Sequence, residues 1–541
     1  MTSEHRARYR LAREQGTIIK DWGGRIPIAL VYPNSYRVGM SSLGLQAIYS
    51  LLNGYDDVVC ERIFCEGDRS ALKSVESQRP IGDFAALAFS VSYELDYYNV
   101  VDALKSSGIP PLSADRDRRH PLVVAGGPCL IANPEPLAPV CDGLAVGEGE
   151  VIVPPMVEAI AEGIGGGREG LLDALGAVPG LYCPARGEGA ARAWVQDLDR
   201  WATASAITTP DTELGDMYLV EVGRGCRWGC RFCLAGFSFR PPRFRSTGHI
   251  VDLAQRGIAQ GKRIGLVGPS VSDHPDIDGL VAALRGRGAR LSVSSLRVCP
   301  LPPSLLEALA ASGTETVTLA PEAGSERLRR AINKGVTDAD ITAAMEAVAA
   351  HGFKHVKLYF MVGLPTEDDE DIDALIALVT AIKGRLDRGR AGCRLALTVA
   401  PFVPKATTPF QWLPMADAAV LTRRTAAIER ALKPRGIEVR TESVHWSQVQ
   451  AVLARGDRSL AAVLAHMERA SLSAWRRALD ECAVDAARFI GRQIPPDEAL
   501  PWAHLDSGVD LAYLKDERER AGRGEETPPC PTEECHQCGV C

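Results

Sequence analysis

Apolar residues along this chain fall in short unbroken runs rather than in strict alternation. In the first third these runs are 26–32, 84–89, 122–125 and 143–146, each followed by a stretch of helical character. Continuous apolar strands separated by helices predict a parallel sheet with both faces covered. Glycines gather where the runs end, at Gly39, Gly44, Gly126, Gly127, Gly147 and Gly149. Ligands of open α/β sheets sit beyond the carboxyl ends of the strands, so the expected layout includes a crevice there.

A second series begins near residue 217. Apolar runs at 217–222, 263–267, 291–297, 316–322, 355–362 and 394–400 alternate with helical stretches such as 248–261. Strand–helix repetition of this kind predicts a partial barrel, with polar residues at the strand ends facing its mouth. Residues 416–490 are rich in Ala and Leu, with Arg and Glu on a second face, and read as helices packing under the barrel. The expected fold is α/β, in five parts: a sheet domain 1–190, a linker 191–212, the partial barrel 213–415, a helical region 416–529 and a cysteine-rich tail 530–541.

Composition narrows the class. A chain of 541 residues exceeds one ordinary core, and 46% hydrophobic with 24% charged residues is the balance of a globular protein. A net charge of −7 gives no global attraction to nucleic acid. The amino terminus lacks the apolar segment of a signal peptide, and no apolar run is long enough to span a bilayer. Fifteen cysteines in such a chain imply reduced thiols and metal ligation in the cytoplasm, not a disulfide framework.

Two cysteine groups carry the chemistry. Cys226, Cys230 and Cys233 offer three thiolates within eight residues, a spacing that needs a curled loop. Gly223, Gly225 and Gly229 are placed to let that loop bend. Thiolates are the usual holders of iron–sulfur clusters, and three of them leave one iron of a [4Fe–4S] cube open for chemistry. Zinc would need a fourth ligand nearby, and His249 is too far along the chain. At the other end, Cys530, Cys535, Cys538 and Cys541 place four thiols in twelve residues. They suit zinc or a second iron–sulfur cluster; His536 is a substitute ligand, and a tail of free thiols is the alternative.

The run Cys226-Arg-Trp-Gly-Cys230-Arg-Phe-Cys233 resembles the signature of the radical SAM superfamily, Cys-x3-Cys-x-aromatic-Cys. The resemblance implies that S-adenosylmethionine (SAM) chelates the open iron and is split by an electron from the cluster, usually giving a 5'-deoxyadenosyl radical. It makes Cys226, Cys230 and Cys233 the cluster ligands and catalytic residues, and sets Phe232 near the adenine. Glu322 ends an apolar strand, and Ser294 and Arg297 end the one before, so they are expected to bind SAM. Gly363, in 362–365, resembles the loop against which the superfamily packs adenine. Residues 401–412 resemble a segment of methylthiotransferase-like relatives, in which Lys405 is a candidate contact. The implied partners are SAM and an electron donor such as flavodoxin or ferredoxin, with no membrane.

Segments 32–44, 125–128 and 147–150 resemble the cobalamin-binding-type Rossmann domain that often precedes such a barrel. The cobalt-ligating Asp-x-His-x-x-Gly is replaced by Asn34-Ser-Tyr-Arg-Val-Gly39. Two readings follow: a cobalamin-binding domain, or a scaffold covering the barrel mouth. Residues 501–541 resemble the end of an uncharacterised bacterial radical SAM family. The expected function is radical modification after SAM cleavage, such as methyl or methylthio transfer, on a substrate for which RNA is the analogy. The basic runs 240–245 and Arg423-Arg424 suit phosphate contacts. The alternative is an iron–sulfur electron-transfer or metal-binding partner with little SAM chemistry of its own.

Overall fold

A computed structural model describes residues 3–67, 72–163, 166–187, 189–389, 393–531 and 535–541. In it the chain forms two compact units. The first comprises Met1–Tyr218, Val452–Ala486 and Ala499–Gly508, and the second Leu219–Ala451, Ala487–Glu498 and Val509–Cys541. The C-terminal third, expected to pack under the barrel, is therefore shared between them.

The first unit is built on a six-stranded sheet of β1 (Ile26–Tyr32), β2 (Val58–Phe64), β3 (Ala86–Ser90), β4 (Leu122–Gly126), β5 (Gly143–Ala145) and β6 (Leu181–Tyr182), in the order β2-β1-β3-β4-β5-β6. The pairs from β2 to β5 are parallel, and β6 runs antiparallel to β5. Helices α1 (Leu43–Asn53), α2 (Tyr97–Ser106) and α3 (Gly149–Gly163) are among those that accompany it. The four apolar runs appear as strands, giving the Rossmann-like sheet. Strand β2 was hidden because Glu61 and Arg62 interrupt its pattern, although all seven of its residues are buried.

Arg62 is buried by compensation. Its guanidinium donates to Glu76 at 2.6 Å and to Glu14 at 2.7 Å, with both carboxylates equally buried. Its backbone N–H donates to Glu76 as well. Glu61, also buried, accepts from the Trp22 indole and the Ser77 hydroxyl. Opposite charges from positions 14 and 76 make the strand possible, and no window of local sequence contains them.

The expected linker is part of this fold. Ala193 bridges to Gly147, Ala191 to Asp506 and Thr208 to Gln15, with Val195 and Leu198 buried. From the C-terminal third, the carbonyls of Ala454 and Gly456 accept from the Asn133 amide, and Arg458 donates to buried Glu135 at 2.7 Å.

The expected crevice at the strand ends meets a different use of glycine. Gly127 has φ 135°, and a Cβ there would stand 2.0 Å from the Val91 carbonyl oxygen. Gly147 has φ 147°, and its Cβ would meet the Ala193 carbonyl at the same 2.0 Å. These glycines admit the chain's own backbone. In the loop 34–39, Tyr36 occupies the cobalt ligand's place, yet its ring is buried and its hydroxyl donates to Glu14 at 2.6 Å.

The second unit holds two larger sheets and one two-stranded antiparallel pair. Strands β7 (Met217–Glu221), β8 (Arg263–Val267) and β9 (Arg290–Val293) lie in the order β9-β8-β7. Strands β10 (Thr316–Glu322), β11 (His355–Val362), β12 (Arg394–Pro401) and β13 (Glu438–Thr441) form a parallel sheet in chain order. One parallel bridge, Leu296 to Leu319, connects the β9 segment to β10. This is the partial barrel with all six expected strands. Strand β9 stops four residues before the expected end at 297, and β13 adds a seventh strand within the region read as helical. Along β10, β11 and β12 every second residue is buried and those between are not. The less buried face displays Thr318, Lys357, Tyr359 and Thr398.

Arg62→Met should strip Glu14 and Glu76 of their counter-charge inside the first unit. Breaking such a pair costs about 3–5 kcal/mol, so urea unfolding should shift to markedly lower concentration, whereas Arg8→Met at the exposed Arg8–Glu4 pair should leave it within error.

Candidate active site

Past the end of β7, Gly223–Arg224 pairs antiparallel with Arg243–Phe244, and the segment between them carries the three cysteines. Of its three expected bending glycines, Gly225 alone is left-handed, at φ 73°. A Cβ there would lie 2.4 Å from the Phe239 carbonyl oxygen. Gly223 serves close approach, since its Cβ would fall 2.6 Å from the Arg243 carbonyl. Gly229 lies against the Asn333 amide, 3.3 Å from where its Cβ would be. The loop then bonds to itself: Cys226 N–H donates to Ala235 O, Cys233 N–H to Cys230 O and Gly236 N–H to Cys233 O.

Outside braces hold this curl. The Arg231 side chain enters a fully buried site. There its guanidinium donates to Glu517 at 3.0 Å and to the carbonyls of Ala331 and Glu525, each at 2.8 Å. Burial lowers its pKa, against the pull of Glu517. Asn333 donates to the Gly229 carbonyl at 3.1 Å, and the Trp228 indole donates to Asp273 at 2.6 Å. The Arg297 guanidinium stacks 3.8 Å from the centre of the Trp228 ring and donates to the carbonyls of Cys299 and Lys334. Arg297 thus acts on the cysteine loop through Trp228.

The thiols feel one another. Burial, and then the neighbouring Cys230 and Cys233, push Cys226 up to about 12. Burial and then Cys230 push Cys233 up to about 11, with Lys334 pulling the other way. None of the cysteines is in a disulfide, and among the described residues no three His, Cys, Asp or Glu side chains stand together in a group that could hold a metal ion. The donor set fits an iron–sulfur cluster: three soft ligands on one self-bonded loop, whose mutual repulsion as thiolates calls for a cationic centre.

The other expected residues fall into two groups. Glu322 ends β10 in a left-handed conformation, φ 70°, at an irregularity in the pairing with β11. Its carboxylate meets Lys334 at 3.2 Å, so this ion pair stands beside Cys233. Phe232, half-buried, packs with Met361 against a core that includes Leu364, Phe402 and Phe410. Gly363 is left-handed at φ 79°, and its Cβ would lie 2.5 Å from Leu421. Phe232 and the 363–364 turn thus share one apolar patch. Ser294 is exposed beyond the end of β9.

Sequence reasoning passed over Glu367, which shapes the Gly363 turn. Its buried carboxylate accepts from the backbone N–H groups of Gly363 and Leu364 and from Arg424 at 3.1 Å. Burial raises its pKa to about 7 despite these donors. The spacing Gly363-Leu-Pro-Thr-Glu367 was the available signal, since a carboxylate four residues on can return to cap a turn's amides. Lys334, Lys357 and Tyr359 were also missed, the last two because an apolar strand hides its polar face in sequence.

A carboxyl of ordinary value near 4.5 raised to about 7 by folding contributes its stabilisation fully below about pH 4.5 and loses it as the pH rises through 7. Carbon-detected NMR should therefore show Glu367 titrating near neutrality, well above the exposed glutamates. Gly225→Ala should strain the cysteine loop by about 1–3 kcal/mol and lower the iron retained after anaerobic reconstitution, with native circular dichroism.

Comparison with known proteins agrees with this geometry. Residues 220–379 match the radical SAM superfamily, and residues 44–184 match the N-terminal region of radical SAM proteins. An uncharacterized protein of Methanocaldococcus jannaschii is 33% identical over 446 residues, covering 81% of this chain and 90% of that protein. The radical SAM methyltransferase TsrM from Kitasatospora setae, solved with cobalamin and a [4Fe–4S] cluster, aligns over 92% of this chain and 99% of its own, at 13% identity and a TM-score of 0.48. The cobalamin-dependent SAM radical enzyme OxsB, solved with aqua-cobalamin, aligns over 92% and 80%, at 11% identity and a TM-score of 0.49. With its central cysteine loop inside the matched region, the chain belongs to the radical SAM superfamily and is an enzyme.

Proposed function

We propose that Cys226, Cys230 and Cys233 hold the [4Fe–4S] cluster of this enzyme, and that SAM is cleaved there to modify a substrate by a radical route. The observation that carries this reading is the self-bonded loop of three mutually interacting thiols at the carboxyl end of β7. When bound, the cluster supplies one electron to the sulfonium of SAM, breaking a carbon–sulfur bond to give methionine and a 5'-deoxyadenosyl radical.

This chain's residues supply the rest. The apolar patch of Phe232, Met361 and Leu364, with the Gly363 turn pinned by Glu367, gives a flat ring a surface to pack on. Glu322, paired with Lys334 at 3.2 Å, offers a carboxylate to an amino group or ribose hydroxyl. The less buried face of β10–β12, with Lys357, Tyr359 and Thr398, is left for substrate or SAM. Arg297 and Arg231 act by positioning the loop.

A flavodoxin or ferredoxin of the cytoplasm is the natural electron source, and methyl or methylthio transfer the reaction class. No helix of the described residues is long and apolar enough to cross a membrane. An RNA substrate draws no support from the two basic runs. Arg240, Arg243 and Arg245 are buried, with Arg245 bonded to Glu221, and Arg423 and Arg424 pair with Asp369 and Glu367. Position 36 would not supply the cobalt ligand of a bound cobalamin, because the Tyr36 hydroxyl there is committed to Glu14.

Anaerobically reconstituted protein given SAM and dithionite should release 5'-deoxyadenosine, and Cys230→Ala should reduce this to background while unfolding as wild type does. Failure of the wild-type protein, with full iron loading, to form 5'-deoxyadenosine or transfer a methyl group would sink the reading.

A further inference from the structure

We propose that Cys530, Cys535, Cys538 and Cys541 form a second metal centre of four thiolates, seated on the loop that carries Cys226, Cys230 and Cys233. The proposal goes beyond the SAM reading, because the tail's ligand set is complete without the central cysteines.

The tail runs back to the cysteine loop. Helix α4 (Leu511–Arg523) ends at left-handed Gly524, and the chain then returns to the cysteine loop. Thr527 N–H donates to the Asn333 side chain at 2.9 Å, and its hydroxyl donates to Glu517 at 2.5 Å. The Glu525 carbonyl accepts from Arg231 at 2.8 Å. Finally Cys530 N–H donates to the carbonyl of Arg227, the residue after Cys226, at 2.7 Å. Asn333, Glu517 and Arg231 thus brace the catalytic loop and the tail together.

Cys538 is 3% exposed, and its carbonyl accepts from Asp510 N–H at 2.8 Å. A lone buried thiol explains neither the burial nor the three cysteines around it. Exposed thiols such as Cys541 are a reactive liability unless a metal holds them.

Arg240 lies at the far end of the cysteine loop, buried, with its guanidinium 5.2 Å from the centre of the Tyr513 ring and hydrogen-bonded to Cys538. Its field also reaches Cys530 and Cys541, and those two share the fields of Cys535 and Cys538. Four thiolates around Zn²⁺, or around a [4Fe–4S]²⁺ core, are dianionic. A buried guanidinium beside them, itself bonded to the Gly236 carbonyl, offsets part of that charge. Zinc and an iron–sulfur core both take this ligand set, and the tail holds whichever binds against the Arg227 carbonyl.

The test is metal analysis of the full chain purified without oxygen. The variant C226A/C230A/C233A should keep the tail's metal, about one zinc or about four irons per chain, and X-ray absorption should show four sulfur neighbours at about 2.3 Å. The identity of the metal selects between the two centres, and either supports the proposal. C535S/C541S, which alters the more accessible pair, should lose that complement and keep the iron of the central loop. Metal content of C535S/C541S equal to that of wild type overturns the proposal, whether or not the triple variant folds. So does a folded triple variant that holds no metal.

Discussion

Burying the Arg231 guanidinium is the act on which the catalytic half of this protein depends. The residue sits between Cys230 and Cys233, where an exposed side chain would leave the loop free to open. Instead it is withdrawn from water and bonded to Glu517 and to carbonyls at 331 and 525. Desolvating a guanidinium is costly unless nearly all its donors are met. That cost forces three segments, far apart in sequence, to arrive together: the cysteine loop, the turn after the helix 326–331 and the return from α4. The curl of the loop and the seating of the tail follow from one cation.

Other buried arginines repeat the device. Arg329 donates to the carbonyls of Ala323, Gly324 and Val336 and pairs with Asp338, tying down the stretch that leads from Glu322 to Lys334. Arg62 does the same for β2 in the first unit. A planar fork with several donors suits this work, because it satisfies carbonyls and carboxylates from different segments at once. Much of the specificity of this fold therefore lies in polar contacts inside the protein, with the apolar runs supplying bulk burial.

Strain and exposure mark the site from the other side. Glu322 holds a left-handed backbone that a non-glycine residue adopts only at a cost. It does so where β10 loses register with β11, which turns its carboxylate toward Lys334 and the cysteine loop. Across the same sheet, alternation of burial leaves one face of an otherwise apolar barrel accessible. A strained carboxylate, a lysine beside a thiol and an open polar face meet at the carboxyl ends of the strands, where barrels keep their chemistry.

Much of this was legible from residues alone. Unbroken apolar runs specify strands wherever both faces will be covered, so ten of the strands stood out, and the spacing of three cysteines with an aromatic before the last named the chemistry. Strand β2 was not legible, because Glu61 and Arg62 resemble surface until Trp22 and Ser77 reach the one and Glu14 and Glu76 the other. Nor was the division of the C-terminal third, since helices of similar composition pack on whichever unit offers them carbonyls and carboxylates. Local sequence determined the elements and the thiol donors, through periodicity and ligand spacing, which are short-range properties. Only the tertiary structure decided that Arg297 serves Trp228, that Glu367 shapes the Gly363 turn and that Cys530 and Cys538 lie against the central loop, because each depends on which distant groups share a buried space.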